Sequence, residues 1–131
     1  MTNKINILHV DDSEKIRSII KQMLLTLSNI NKIEEANTLA QAKKILKRKN
    51  TDVTILDIQL PDGSGLHFLK WMKQYYPDIR IIMFSNHADE FHRKAAKQLG
   101  ADYFFDKSKE FKQLIKTIVS INCNVITIPE C

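Results

Sequence analysis

Three carboxylates, one hydroxyl and one ammonium occupy matching places in this sequence. Asp11 and Asp12 follow the apolar run Ile5–Val10, and Asp57 falls near the end of the run Val53–Ile58. Ser85 closes the run Ile79–Phe84, and Lys107 follows the run Asp102–Phe105. Three carboxylates gathered at one edge repel each other and raise each other's pKa unless a cation intervenes. All-oxygen ligation selects a hard ion, and Mg²⁺ combines one or two carboxylates with water and phosphate oxygens. Aspartate is also a nucleophile towards phosphoryl groups and forms an acyl phosphate. The added charge then needs a flexible point cation, which Lys107 supplies, and a donor, which the Ser85 hydroxyl supplies. Phosphoryl transfer is mostly positioning and charge stabilisation, so these few parts suffice for it.

Each residue has a plainer explanation when taken singly. Asp12 could cap the first helix, Ser85 could be a turn residue and Lys107 a surface lysine. Asp57 is harder to dismiss, because a charge set between Val53-Thr54-Ile55-Leu56 and Ile58 is costly without a partner. Their joint placement at strand ends decides for chemistry.

The elements that must position them alternate. Five short apolar runs (the four above and a weaker one at Asn31–Ala36) alternate with five helical patterns. The third and fourth runs are nearly continuous in apolar and β-branched residues, as in strands buried on both faces of a parallel sheet. Ile16, Ile19, Ile20, Met23, Leu24 and Leu27 predict one apolar helical stripe, and Phe111, Leu114, Ile115, Ile118 and Val119 another. Thr38 with Gln41 predicts a capping box, Gly100 a helix C-terminus and Ser108 the cap of the fifth helix. Asp62-Gly63-Ser64-Gly65 predicts a turn into a third helix that stops before Pro77. This alternation predicts an α/β doubly wound sheet with helices on both faces, and such sheets bind ligands beyond the carboxyl ends of their strands.

Composition narrows the class. The 131 residues fit one domain, and 44% are apolar, enough for a core. The apolar N-terminal stretch is broken by Asn6 and His9 and runs into two aspartates, unlike a secretory signal. No run reaches the length of a membrane span, so the cytoplasm is the expected compartment and no membrane partner is expected. Cys123 and Cys131 lack zinc-site spacing and are expected as reduced thiols. The net charge is +5, but Lys43, Lys44, Lys47, Arg48 and Lys49 suit a solvated helix face around Ile45 and Leu46. Without interleaved aromatics, the run argues against direct nucleic-acid binding. His87 and His92, five apart, would point in different directions on a helix, which argues against a metal site there. His9 is expected as a packed or edge histidine.

The blocks Ile7-Leu8-His9-Val10-Asp11-Asp12-Ser13, Leu56-Asp57-Ile58-Gln59-Leu60-Pro61-Asp62-Gly63-Ser64-Gly65-Leu66, Phe84-Ser85 and Gly100-Ala101-Asp102-Tyr103-Phe104-Phe105-Asp106-Lys107 resemble the receiver domain of bacterial response regulators. The resemblance covers about residues 4–121. It implies a flavodoxin-like (βα)5 fold with strand order 2-1-3-4-5, a receiver domain over 1–121 and a tail over 122–131. It implies a phospho-acceptor of a two-component phosphorelay, not an enzyme in its own right. Asp57 would take its phosphoryl group from a histidine kinase or histidine phosphotransfer protein and pass the signal to a downstream protein, as a monomer or a phosphorylation-dependent dimer. By the same likeness Asp12, Asp57 and the Gln59 carbonyl would ligate Mg²⁺, with Asp11 acting through a metal-bound water. Ser85 would contact the phosphoryl group and Lys107 would pair with its oxygens. Phe104 would turn inward as Ser85 shifts, reshaping the face made by the fourth helix, fifth strand and fifth helix.

The chain departs from the family at three places. Ser108 stands where a proline with a cis bond is frequent, so a trans bond is expected. Asn86 replaces a small residue and would narrow access. Gln59 and His87 occupy positions that tune hydrolysis in the family. An aspartate-based phosphohydrolase would need an acid where Gln59 stands, and a flavin-binding module would need a phosphate-cradling loop where Asp11 and Asp12 stand. The tail, with Val125-Ile126-Thr127-Ile128, is expected to be extended, docked or loose. These residues leave no stretch for an effector domain: as a complete chain the expected output is docking or phosphotransfer, and as a piece of a longer protein it is an effector outside this sequence.

Overall fold

The computed structural model of the protein describes residues 4–126, with side chains described through residue 121. In chain order the elements are β1 (Ile5–Val10), α1 (Glu14–Leu25), β2 (Ile30–Ala36), α2 (Leu39–Leu46), β3 (Val53–Leu56), β4 (Gln59–Leu60), β5 (Gly63–Ser64), α3 (Gly65–Tyr75), β6 (Arg80–Ser85), α4 (Glu90–Gln98), β7 (Tyr103–Asp106) and α5 (Phe111–Ile126). Five strands form one parallel sheet in the order β2-β1-β3-β6-β7, which is 2-1-3-4-5 when only that sheet is counted. β4 and β5 form a separate antiparallel ladder. The five expected runs match the five sheet strands to within two residues.

Alternation along the buried strands sends side chains to two cores. Leu8, Val10, Leu56, Ile81 and Met83 meet α2, α3 and α4 through Ala42, Leu46, Phe68, Leu69, Met72 and Ala96. Ile7, Val53, Ile55, Ile82 and Phe84 meet α1 and α5 through Ile20, Leu24, Leu114, Ile118 and Ile121. The helical stripes are wider than the buried seam. Ile19 and Met23 on α1 remain 42% exposed and Val119 on α5 41%. Around Ile45 and Leu46 the cationic run of α2 is exposed, as expected. Its Lys43 ammonium lies 4.8 Å from the ring centroid of Trp71 on α3. That indole also stacks on Phe68 and tilts against Tyr75 and Tyr76.

Local chemistry fixes the helix ends. The Thr38 hydroxyl accepts from Gln41 N–H, while the Gln41 side chain accepts from Asn37 N–H rather than from Thr38. This is a capping box displaced by one residue. Gly100 has φ +101°, and Gly100 N–H and Ala101 N–H donate to the carbonyls of Lys97 and Ala96. That pattern is a Schellman stop, in which a left-handed residue suits glycine.

The plainer reading of Asp12 as a cap and the expected cap at Ser108 both give way. Ser13, not Asp12, caps α1 by accepting from Ile16 N–H, which frees Asp12. Ser108 does not cap α5. The Asp106 carboxylate takes both its N–H and its hydroxyl, and α5 begins at Phe111. Those two bonds hold the Asp106 carboxyl below the usual range. Among the described residues no peptide bond is cis, so the bond from Lys107 to Ser108 is trans. α5 continues through Ile126, across the boundary expected at 121 and into the segment expected to be extended, docked or loose. The Cys123 side chain, Cys131 and residues 127–131 lie outside the described residues.

Candidate functional site

The carboxyl edge of the sheet carries the site. Asp57 N–H donates to the Val10 carbonyl and Asp11 N–H to the Ala36 carbonyl, so the ladder runs one residue past β3 and β1 before the chain turns. On α1, Arg17 clamps the β1 end. Its guanidinium donates to the Asp11 carbonyl at 2.6 Å and to Glu35 at 2.9 Å. On the far side of Asp57, Gly65 N–H donates to the Ile58 carbonyl. A β-carbon at Gly65 would collide with the backbone carbonyl of Asp57. The glycine is therefore required by close approach: it seats the start of α3 directly against the backbone of Asp57.

One oxygen from each of Asp11, Asp12 and Asp57 comes within 4.8 Å of the others. Asp11 and Asp57 are buried, and Asp12 is exposed. The Lys107 ammonium, one residue past β7, reaches between two of them, 2.6 Å from Asp11 Oδ2 and 2.7 Å from Asp57 Oδ2. Only the contact to Asp57 has hydrogen-bond geometry, leaving Asp11 Oδ2 paired by charge but without an aligned donor. The remaining oxygens are held locally: Asp57 Oδ1 accepts from Ile58 N–H and Asp11 Oδ1 from Ser13 N–H. Burial pushes the Asp11 carboxyl above its ordinary pKa, more than Lys107 and the Ser13 N–H draw it down. Burial works against the Lys107 ammonium too, but its contacts with Asp11 and Asp57 outweigh that and hold its pKa above the ordinary value.

A cavity of about 360 Å³ opens over these groups, lined among others by Asp12, Asp57, Gln59, Asn86, His87 and Lys107. The donor set fits a hard divalent cation. It is all oxygen, three carboxylates converge, and a buried carboxylate oxygen lacks an aligned donor. Asp11, Asp12 and Asp57 could hold Mg²⁺, with Gln59 beside them on the cavity wall.

Ser85 and Phe104 stand apart from that lining. Ser85 is fully buried at the end of β6, and its hydroxyl accepts from His87 N–H. Its carbonyl accepts from Lys107 N–H, which ties the strand ends of β6 and β7. Phe104 is partly buried, and the Arg93 guanidinium of α4 lies 5.1 Å from its ring. Arg93 also donates to the carbonyls of Ala88 and Phe104 and to Glu110, which in turn accepts from Asp106 N–H. The guanidinium, with that N–H, holds the Glu110 carboxyl below its usual range.

Sequence reasoning misses two of these arrangements. His87 is not on α4 but in the loop before it, and its ring lies 5.6 Å from that of His92 instead of facing away. His87 Nε2 bonds the Gln59 side chain at 2.9 Å, and His92 Nδ1 bonds Asp89 at 2.6 Å. The Arg93 network depends on an α4 helix packed over β7, and no local spacing signals it.

The fold and this carboxylate–lysine constellation define a phosphoryl-accepting signalling class. A family profile described as the response regulator receiver domain matches residues 7–119, and the chain belongs to that family. Its members are signal-transduction domains of two-component systems. The chain is 28% identical over 107 residues to the transcriptional regulatory protein YhcZ of Bacillus subtilis strain 168, covering 82% of this chain and 50% of that protein. It is 35% identical over 101 residues to a protein-glutamate methylesterase/protein-glutamine glutaminase 1 of Rhizobium johnstonii, covering 77% of this chain and 28% of that protein. The chain spans about half the length of the regulators it matches, and less of the esterase. Among solved structures it resembles a CheX–CheY–BeF₃–Mg²⁺ complex of Borrelia burgdorferi, with TM-score 0.80 and 26% identity over 89% of this chain and 88% of that one. Among the described residues no helix is long and apolar enough to cross a membrane.

Proposed function

We propose that Asp57 accepts a phosphoryl group from a histidine kinase or histidine phosphotransfer protein and that the domain relays the signal by contact with a downstream protein. The observation that carries this is the Lys107 ammonium bridging Asp57 and Asp11 on the floor of an open cavity. An Asp57 carboxylate oxygen attacks phosphorus, the bond from phosphorus to the donor imidazole nitrogen breaks with its electron pair staying on nitrogen, and that nitrogen takes a proton from solvent. Lys107 moves with the developing charge onto the phosphoryl oxygens, where a preplaced cation is most effective. Bound Mg²⁺ would neutralise charge and orient the incoming phosphoryl oxygens. Asp11, Asp12, Asp57 and the Gln59 carbonyl are the proposed holders of the ion.

Ser85 lies outside the cavity lining, so its role includes a shift: the hydroxyl leaves His87 N–H and turns to a phosphoryl oxygen. Phe104 then turns inward, and the face formed by α4, β7 and α5 changes. The domain acts in the cytoplasm. It acts through proteins rather than through DNA directly, as a monomer or a phosphorylation-dependent dimer, and the domain is not itself an enzyme.

Intact-mass spectrometry after incubation with Mg²⁺ and a small acyl phosphate tests the assignment. One phosphoryl group is expected on the wild type, and none on Asp57→Asn or with chelator. Lys107→Ala should bind Mg²⁺ and acquire the group about a hundredfold more slowly. Full phosphorylation of Asp57→Asn would move the acceptor elsewhere.

A further inference from the structure

Among the described residues the side chains of Asp11, Asp57, Lys107 and His9 are buried ionisable groups, and the proposed chemistry uses all of them but His9. His9 is 1% exposed, and neither ring nitrogen has a hydrogen-bond partner among the described residues. A neutral imidazole carries one donor and one acceptor, and burying both unpaired is costly where an isoleucine would pack without loss. Ile5 and Ile7 occupy the same face of β1. The other buried orphan, the Thr54 hydroxyl, is no partner. Thr54 sits opposite Leu8 in the register while His9 sits opposite Ile55, so the two side chains leave the sheet on opposite faces. The polar atom facing His9 Nε2 is Asp11 Oδ2, 4.0 Å away. That oxygen has no aligned donor and is held by the Lys107 ammonium alone.

Phosphorylation of Asp57 changes what Lys107 faces. One Asp57 oxygen becomes the bridging oxygen of an acyl phosphate, and the charge moves outward onto phosphoryl oxygens, drawing the ammonium after it. Asp11 Oδ2 then loses the close ammonium while remaining buried, and Mg²⁺, which Asp11 would hold through a water, would not replace that direct contact. We infer that His9 is a positioning residue: when Lys107 moves onto the phosphoryl group, His9 Nε2–H closes the gap of about 1 Å and bonds Asp11 Oδ2. This keeps Asp11 in place through the step, and it rests on the phosphoacceptor role proposed for Asp57. It involves no proton transfer. Burial first, then the charges of Lys107 and Arg17, holds the imidazole neutral by lowering its pKa to about 3.

The test is long-range ¹H–¹⁵N spectroscopy of the histidine rings. In the wild type a neutral His9 with its proton on Nε2 is expected. During phosphorylation by Mg²⁺ and excess acyl phosphate, that proton should move downfield and exchange more slowly. In Lys107→Ala the same change should appear without any phosphoryl donor, because the ammonium has been removed from Asp11 directly. This arm keeps the inference apart from the acceptor assignment: if the wild type gains no phosphoryl mass, the assignment fails, and Lys107→Ala still decides on His9. A proton on Nδ1, or a His9 signal unmoved in Lys107→Ala, overturns the inference. In rate measurements His9→Leu should accept the group about tenfold more slowly, and His9→Gln, which carries a donor at comparable reach, should regain most of the loss. A leucine variant as fast as wild type, or a glutamine variant as slow as leucine, would assign His9 to packing alone.

Discussion

His9 stays neutral in the folded protein because burial, aided by Lys107 and Arg17, lowers its pKa to about 3 from an ordinary 6.5. Between those values the unfolded chain binds one more proton than the folded one. Stability therefore falls as pH drops through that window, by up to about 1.4 kcal/mol per pH unit from this group. His9→Leu removes the term, so its urea midpoint should decline less steeply than that of the wild type between pH 6.5 and 4. Parallel declines would show that His9 takes up no extra proton on unfolding. At this scale Asp11, Asp12, Asp57 and Lys107 are legible in the sequence, since each is a charged residue set where an apolar run ends. The lack of a partner for the His9 ring, the turn of the Ser85 hydroxyl towards His87 N–H and the bond from Gln59 to His87 are not. They follow from loop paths and sheet faces that composition does not fix.

At the scale of elements, the junction between Asp57 and α3 is the tightest joint of the site. The β-carbon of an alanine at position 65 would meet backbone atoms of Asp57 and Ile58, not a side chain that can swing away. Gly65→Ala should destabilise the fold by roughly 3 kcal/mol. It should also slow acyl-phosphate labelling more than its loss of folded population explains, read by urea titration beside intact mass. Unchanged labelling would show that α3 and Asp57 move independently. Thr38 and Gly100 are legible as helix ends because their chemistry is local. Ser13 taking the cap from Asp12 is not, since both residues qualify and the convergence of carboxylates decides between them. Ser108 fails as a cap because Asp106 captures both of its donors first.

For the whole molecule, the sheet order and the two cores follow from the alternation of buried strands with helices, and the matching of residues 7–119 to the receiver family agrees with them. What the alternation leaves open is how the α4–β7–α5 face is latched. Arg93 joins the loop at Ala88, the carbonyl and ring of Phe104, and Glu110 before α5. If Phe104 moves on phosphorylation, Arg93 favours the state before it moves. Coupling is reciprocal, so loosening the latch should favour phosphorylation. Arg93→Ala is expected to raise the phosphorylated fraction at fixed donor about fivefold. No rise would separate this network from the switch.

Trp71 is the only tryptophan of the chain, and it lies between α2 and α3 against Lys43, Phe68 and two tyrosines, away from the cavity lining. The protein therefore carries its own optical probe, placed outside the α4–β7–α5 face but on the same core as α4 and Phe104. Indole emission that stays constant while the phosphoryl group comes and goes would confine the rearrangement to α4, β7 and α5. Emission that follows phosphorylation would mean that the signal also travels through Gly65 into α3, giving the domain a second face on which to report its state.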